Sequence, residues 1–472
     1  MRQLSGLDVS MLHMDSSRTP NQVAALYTYD PATAPNGRVD FDDVLENIER
    51  RLGTSRTFRQ KLVRVPLDLD LPYWIEDDAF DLEFHVRQSA VPSPGTWRQL
   101  MDVAARIYAR PLDLTRPPWE LYVIEGLGEG TDGIPHNGFA VLTKVHHAAV
   151  DGLSGLDLVT ALHDHEPRAE PPSTGDAWRG EHEPSALALL RRAAINNAVK
   201  PWHLVQVVRR AAPSLPRIMG GVGRGEIGVR SADVPRTRFN APVTPHRVLA
   251  GRRAALAALK AARAPVAGAT VNDVVLTAVG GALRRYLTGL GELPDEPLVA
   301  VVPVSTRTVD ERGTGGNQIS MLRSTLATHI ADPVDRLAAV TEGTQRLKKL
   351  HHAVGAGTLS DLSNATPGLL LGIAMRAQSA LAARNRGRVI GNTTVTNVPG
   401  PTEPLYFCGA RLVGPYGAGP TPHGVGLIHL AGSCAGEFTL SVTADREMLP
   451  DPERYELCIE ESLHELEGIA TT

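Results

Sequence analysis

The 472-residue chain contains only three cysteines, Cys408, Cys434 and Cys458, all in its last quarter and with no CxxC pair among them. So sparse and odd a set suits reduced thiols in a cytosolic protein better than a disulfide framework. Long hydrophobic runs are also missing. A membrane-spanning helix requires roughly 18 uncharged apolar residues, and the nearest run, Leu369 to Met375, stops at Arg376. The opening residues, Met1-Arg2-Gln3-Leu4-Ser5-Gly6-Leu7-Asp8, carry no apolar signal-peptide core. The third absence is a charge excess. A formal net charge of −4 and a pI near 6.5 exert no overall pull toward nucleic acid or anionic lipid. The expectation is a cytoplasmic protein that binds no nucleic acid and touches a membrane, if at all, through a local patch.

Present instead is ample core-forming material, 42% hydrophobic residues, in a chain long enough for two domains. In the first region, residues 1–170, the largely apolar run Phe139 to Val145 reads as a strand, and Gly155 to Leu162 reads as a helix. His146, His147 and Asp151 fall between them. The second region, residues 171–245, follows the Pro-rich stretch Glu166 to Ser173. Its core, Ala186 to Arg224, holds Arg191, Arg192, Lys200, Arg209, Arg210, Arg217 and Arg224 without an acidic residue, interleaved with apolar side chains. Such a pattern fits either an inter-domain helix with a solvated basic face or an interfacial lipid contact. Pro201, Pro213 and Pro216 are expected to break it into short pieces.

The third region spans residues 246–472. Thr270 and Asp273 have capping-box spacing, and Val271 to Leu283 follow with helical periodicity. Leu298 to Val304 reads as a buried strand leading to Arg307, and Glu437 to Thr443 as a half-buried strand. Asp332-Pro333 and Asp451-Pro452 each resemble an N-cap followed by proline at the first helical position. The fold class is α/β (α+β) in two halves.

A histidine pair alone is a weak signal. His351-His352, after Lys348-Lys349 in a helical pattern, has no aspartate or glycine at matching offsets and reads as a solvated helix end. His146-His147 has Asp151 and Gly152 behind it, and Gly152 permits a tight turn or close backbone approach. On spacing, three readings stay open: a general base, a metal site, or hydrogen-bonded core histidines.

The segment His146-His147-Ala148-Ala149-Val150-Asp151-Gly152 resembles the HHxxxDG signature of the coenzyme-A-dependent acyltransferase superfamily. Leu4 to Asp8, Arg110-Pro111-Leu112-Asp113 through Trp119-Glu120, Ala269 to Leu276, Pro303 to Arg307, Gly316-Asn317 and Asn397 to Pro401 follow in the expected order. Together they resemble the bacterial wax ester synthase/diacylglycerol acyltransferase family over nearly the whole chain. One departure is Pro117-Pro118-Trp119, where the family has Pro-Leu-Trp.

The resemblance implies two chloramphenicol-acetyltransferase-like halves, each a mixed sheet flanked by helices, joined by a helical linker. It implies His147 as general base, His146 as an orienting neighbour, and Asp151 holding the loop, with Arg307 as its hypothetical partner. Asn272 becomes a candidate oxyanion donor; alternatively Asn272 and Asp273 cap their helix and tie the halves together. Acyl-CoA would be a substrate, with diacylglycerol or a long-chain alcohol as acceptor, and neither metal nor other cofactor is expected. The basic segment would then suit the inner membrane or a lipid droplet. Alternatives are a non-catalytic droplet-associated homologue, a condensation-type enzyme acting on another alcohol or an amine, and a metallohydrolase.

Overall fold

Capping chemistry sets where the elements begin. In the computed structural model, which describes residues 1–135, 137–149, 161–168, 180–211, 234–305, 319–354, 377, 380–384 and 389–469, the first part of the chain runs as follows. Strand β1 (Arg2–Gln3) leads to α1 (Gly6–Met14), β2 (Gln22–Asp30), α2 (Phe41–Arg51), β3 (Gln60–Val63) and β4 (Tyr73–Glu76). Then come α3 (Leu82–His85), β5 (Val86–Ala90), α4 (Trp97–Tyr108), β6 (Trp119–Glu125) and β7 (Phe139–His146). Ser5 and Asp8 form a capping box at α1, as do Thr96 and Gln99 at α4. Each such cap contributes about 1 kcal/mol.

The second part begins with α5 (Ala186–Ala211), β8 (Arg247–Ala255), α6 (Leu256–Ala261), α7 (Val271–Leu290), β9 (Val299–Ser305) and β10 (Ile319–Thr325). It ends with α8 (Pro333–Val354), β11 (Thr393–Pro399), β12 (Tyr406–Phe407), β13 (Ala410–Ala418), β14 (Leu427–Cys434), β15 (Glu437–Asp445) and α9 (Pro452–Ile469). The expected strands before His147, after Leu298 and from Glu437 are β7, β9 and β15. Asp332 caps α8, its Oδ1 accepting from the backbone N–H groups of Val334 and Asp335 at 2.9 Å each. Helix α9 starts at Pro452, but the Asp451 Oδ1 accepts from the Tyr286 hydroxyl at 2.5 Å instead of from a helix N–H.

One expectation is corrected. Pro201 does not break the basic segment, because α5 continues through it to Ala211. A proline inside a helix removes one backbone donor, and the 26-residue helix carries that loss. Pro213, Pro216 and the rest of the segment to Arg224 lie outside the described residues, as does most of the helix expected from Gly155 to Leu162. No described helix is long and apolar enough to cross a membrane.

Two six-stranded sheets carry the molecule, in the orders β12-β13-β2-β7-β6-β5 and β10-β9-β11-β14-β15-β8. Both are mixed: β5 runs parallel to β6, and β11 runs parallel to both β9 and β14. Helices α7 and α9 cover the second sheet, burying Val275, Val279, Tyr286, Ile459 and Leu463 against Val395, Leu440 and Val442. The first sheet buries α4 residues Leu100, Met101 and Ala104 on one face, and Trp119, Val141 and Val145 on the other.

The sheets do not follow a division of the chain at residue 246. Strands β12 and β13 leave the C-terminal stretch and join the first sheet, with Tyr416 opposite Leu26 and Ala418 opposite Ala24. Across the same joint, Trp97 Nε1 of α4 donates to Glu456 Oε1 of α9 at 3.0 Å. A buried interface built from strand pairing and a desolvated carboxylate ties the halves through backbone as well as side chains.

Candidate active site

Strand β7 is buried along its full length and delivers the histidine pair at its end. His146 is its last residue, opposite Gln22 of β2. His147 begins a single 3-10 turn, His147–Ala149. The two imidazoles therefore leave the chain in different settings.

His146 is 2% exposed, and its ring is committed to structure. Its Nδ1 accepts from the Ala148 N–H at 3.2 Å, which folds the chain into the turn. Its Nε2 is buried, makes no hydrogen bond, and faces Asp15 Oδ2 at 3.6 Å. His147 keeps partial exposure. Its Nδ1 is buried without a hydrogen bond to another residue. Burial pushes the His147 pKa below the ordinary 6.5; interaction with its own carbonyl opposes this shift, and the neighbouring His146 adds to it. Such a shift favours the neutral ring, the form that can accept a proton.

The backbone around the pair is pinned on both sides. The His147 N–H donates to the Asn21 carbonyl at 2.9 Å, and the His146 N–H donates to the Pro118 carbonyl at 2.9 Å. The Pro117-Pro118-Trp119 departure thus lies against the histidines through a carbonyl, which proline supplies as well as leucine does. Two residues before the pair, fully buried Lys144 donates to Glu120 Oε2 at 3.0 Å and to the Arg110 carbonyl at 2.9 Å. Burial lowers the Lys144 pKa, against the pull of Glu120. Breaking such a buried pair from one side costs about 3–5 kcal/mol, so this contact fixes β7 against β6 and the preceding motif.

Trp119 is structural. Its indole Nε1 donates to the Phe58 carbonyl at 3.0 Å, and its ring stacks on His85 at 4.6 Å. Asp273 closes the capping box with Thr270 through Oδ2, at 2.8 Å to the backbone N–H and 2.7 Å from the hydroxyl. Its Oδ1 accepts from Thr344 of α8 at 2.7 Å. Asp273 therefore caps α7 and ties it to a helix of the same half, not to the other half. Asn272 occupies the second position of α7 and is half-buried. Asp151, Gly152 and Arg307 lie outside the described residues. His351 and His352 fall in α8, as expected of a helix end. Among the described residues no three His, Cys, Asp or Glu side chains gather to hold a metal ion.

Sequence reasoning missed Asp15 and Asn21. Both lie near the start of the chain, and no local pattern announces that the loop after α1 returns to the end of β7.

With this geometry in place, the comparisons with known proteins are decisive. Residues 4–275 match the wax ester synthase/diacylglycerol acyltransferase catalytic domain, and residues 315–467 match the corresponding C-terminal domain. The chain belongs to the wax ester synthase/diacylglycerol acyltransferase family. It is an acyltransferase. A Mycobacterium tuberculosis protein carrying a provisional diacylglycerol O-acyltransferase name is 32% identical over 451 residues, 96% of this chain and 87% of that one. A second such protein from that organism is 33% identical over 98% of this acyltransferase and 99% of its own length.

Among solved structures, the wax ester synthase/diacylglycerol acyltransferase of Marinobacter aquaeolei VT8 superposes with a TM-score of 0.68 at 26% identity, covering 100% of both chains. The starter condensation domain of rhizomide synthetase, solved with C8-CoA, gives a TM-score of 0.54 at 15% identity, covering 100% of this chain and 95% of that one. At that identity the likeness speaks for the fold alone, and it extends the two-halved architecture to condensation domains.

Proposed function

We propose that this acyltransferase moves a long-chain acyl group from acyl-CoA to the hydroxyl of diacylglycerol or a long-chain alcohol, with His147 as general base. The observation that carries the reading is the asymmetry of the pair. His146 spends Nδ1 on the Ala148 N–H and turns Nε2 into a buried space facing Asp15, whereas His147 stays partly exposed and has no hydrogen bond at Nδ1 from another described residue. Its lowered pKa keeps the ring neutral, and so basic, at pH 7.

In the first step the acceptor oxygen forms a bond to the thioester carbonyl carbon while His147 Nε2 takes the hydroxyl proton. The tetrahedral intermediate then expels the thiolate as the carbon–sulfur bond breaks, and the imidazolium returns its proton to sulfur. Ester and free CoA leave, and the histidine is regenerated neutral. Holding both substrates in one cleft supplies the encounter entropy beforehand. The half-buried Asn272 amide remains the candidate donor to the oxyanion.

Lipid acceptors bring the protein to a surface, and α5 offers a contact. Leu189 and Ala193 pack it onto β3 and β4, while Leu187, at 78% exposure, and Ile195, at 57%, face outward with Arg191 between them. An apolar stripe with basic residues suits the inner membrane or a droplet surface. Flotation with anionic vesicles should weaken when Arg191 and Arg192 are neutralised; unchanged flotation removes this contact.

The reaction itself is tested by supplying long-chain acyl-CoA with diacylglycerol and with hexadecanol side by side. Triacylglycerol or wax ester on thin-layer chromatography is the expected product. A folded protein that releases CoA to neither acceptor would sink the substrate assignment.

A further inference from the structure

We infer that Asp15 is the positioning residue of the histidine pair, one carboxylate that fixes the backbone on both sides of His147. The inference rests on the reading of His147 as base.

The first arm is Oδ1. It accepts from the Asn21 N–H at 2.8 Å, and the Asn21 carbonyl in turn accepts from the His147 N–H at 2.9 Å. Asn21 cannot drift independently, because its side-chain Nδ2 donates to the Met11 carbonyl at 2.8 Å. The second arm is Oδ2, which faces His146 Nε2 at 3.6 Å. That nitrogen is buried and makes no hydrogen bond, so the carboxylate decides where the ring carries its proton. With the proton on Nε2, toward Asp15, Nδ1 is an acceptor and can hold the Ala148 N–H at 3.2 Å. With the proton on Nδ1, two donors would face each other and the His147–Ala149 turn would lose its tie.

One arm therefore governs the chain as it enters His147, and the other governs it as it leaves. The loop that carries the carboxylate is itself closed. Ser16 and Thr19 exchange backbone hydrogen bonds at 3.3 and 3.1 Å, and the Thr19 hydroxyl donates to the Met14 carbonyl at 3.1 Å. Arg247, at the start of β8, donates to the Arg18 carbonyl and so pins the tip of the loop to the other half. Asp15 is thus held on a short, doubly anchored strap beside the reacting group. It touches no substrate in this assignment; it acts through His146 and Asn21.

The test uses the full-length enzyme with Asp15→Asn. The amide retains shape and a carbonyl acceptor for Asn21, but presents a donor to His146 and so favours the Nδ1-protonated ring. A displacement near 1 Å at a reacting group costs about a hundredfold. The expected result is a fall in kcat of about tenfold to a hundredfold with KM for acyl-CoA little changed. Asp15→Glu, which restores the charge, should recover part of kcat. Nitrogen-15 spectra of histidine-labelled protein, with His146 assigned by its loss in His146→Asn, supply the readout that simple destabilisation would not move. Wild type should show His146 protonated on Nε2, and Asp15→Asn should show it protonated on Nδ1. A wild-type ring already protonated on Nδ1 overturns the inference, whether or not the variant folds. So does wild-type kcat in Asp15→Asn. The two readings fail separately: an active His147→Ala removes the base, whereas an inactive His147→Ala beside a fully active Asp15→Asn removes only the role of Asp15.

Discussion

His429 lies midway along β14 in the second sheet, whereas His147 follows the last residue of β7 in the first. In mid-strand both nitrogens are claimed: His429 Nδ1 pairs with the Thr393 hydroxyl at 2.8 Å and Nε2 with the Tyr455 hydroxyl at 2.7 Å. Full burial drives its pKa down to about 3, so the ring is neutral and sealed. At the strand end the sheet supplies partners to the backbone but no longer to the ring. His147 receives Asn21 at its N–H, has no other residue at Nδ1, and keeps part of its surface. Burial favours the neutral form of both histidines, but only His147 keeps part of its surface and has no other described residue on Nδ1. Burial tunes a histidine, and the end of a strand makes it available.

The largest effect should therefore come from His147→Ala, which should keep the fold and lose about a hundred- to ten-thousand-fold in ester formation, the usual weight of a positioned base. His351→Ala, in α8, should leave turnover unchanged in the same acyl-CoA assay and serves as the control. Normal turnover in a folded His147→Ala protein would erase the distinction between the two sheets. The acid limb of kcat/KM sharpens it, because a pKa lowered by burial places that limb below pH 6.5.

Much of this arrangement was legible beforehand, for reasons tied to local chemistry. Phe139 to Val145 is largely apolar, so β7 declared itself, as did the α7 cap through Thr270 and Asp273. The His146-His147 motif was visible too, and its ordered companions pointed to the family that residues 4–275 match. What stayed hidden depends on contacts distant in sequence. Nothing near Asp15 or Asn21 signals that they meet β7, and nothing near Tyr406 to Ala418 signals that these strands desert their own half for the first sheet. Pro201 misled because proline's local penalty is plain in a sequence, whereas the packing of Leu189 and Ala193 that anchors α5 is not. The motif marked Trp119 as structural support, but not that its indole N–H would go to the Phe58 carbonyl and its ring onto His85.

The smaller effect, on stability, probes the sealed side of the comparison. His429→Leu should leave the reaction intact in folded protein but strand the fully buried Tyr455 hydroxyl, at a cost of about 1–3 kcal/mol and a lower Tm. Thr393 suffers less, since its hydroxyl also donates to the Leu427 carbonyl at 3.1 Å. The pH dependence separates this loss from simple repacking. An unfolded histidine takes up a proton near pH 6.5, while folded His429 stays neutral down to about 3. Between those limits the unfolded chain binds the extra proton. The stability contributed by His429 is therefore complete above pH 6.5 and lost as the pH falls toward 3, at about 1.4 kcal/mol per pH unit where the difference is a full proton. His147, His85 and His423 are lowered in the same sense, so wild type alone cannot assign the slope. Subtracting the denaturation curves of His429→Leu from those of wild type across pH 7 to 4 isolates one residue. The difference should shrink as the pH falls. A difference that stays constant would mean that His429 titrates in the folded protein much as it does in the unfolded chain, and mid-strand burial would then no longer explain why it is inert.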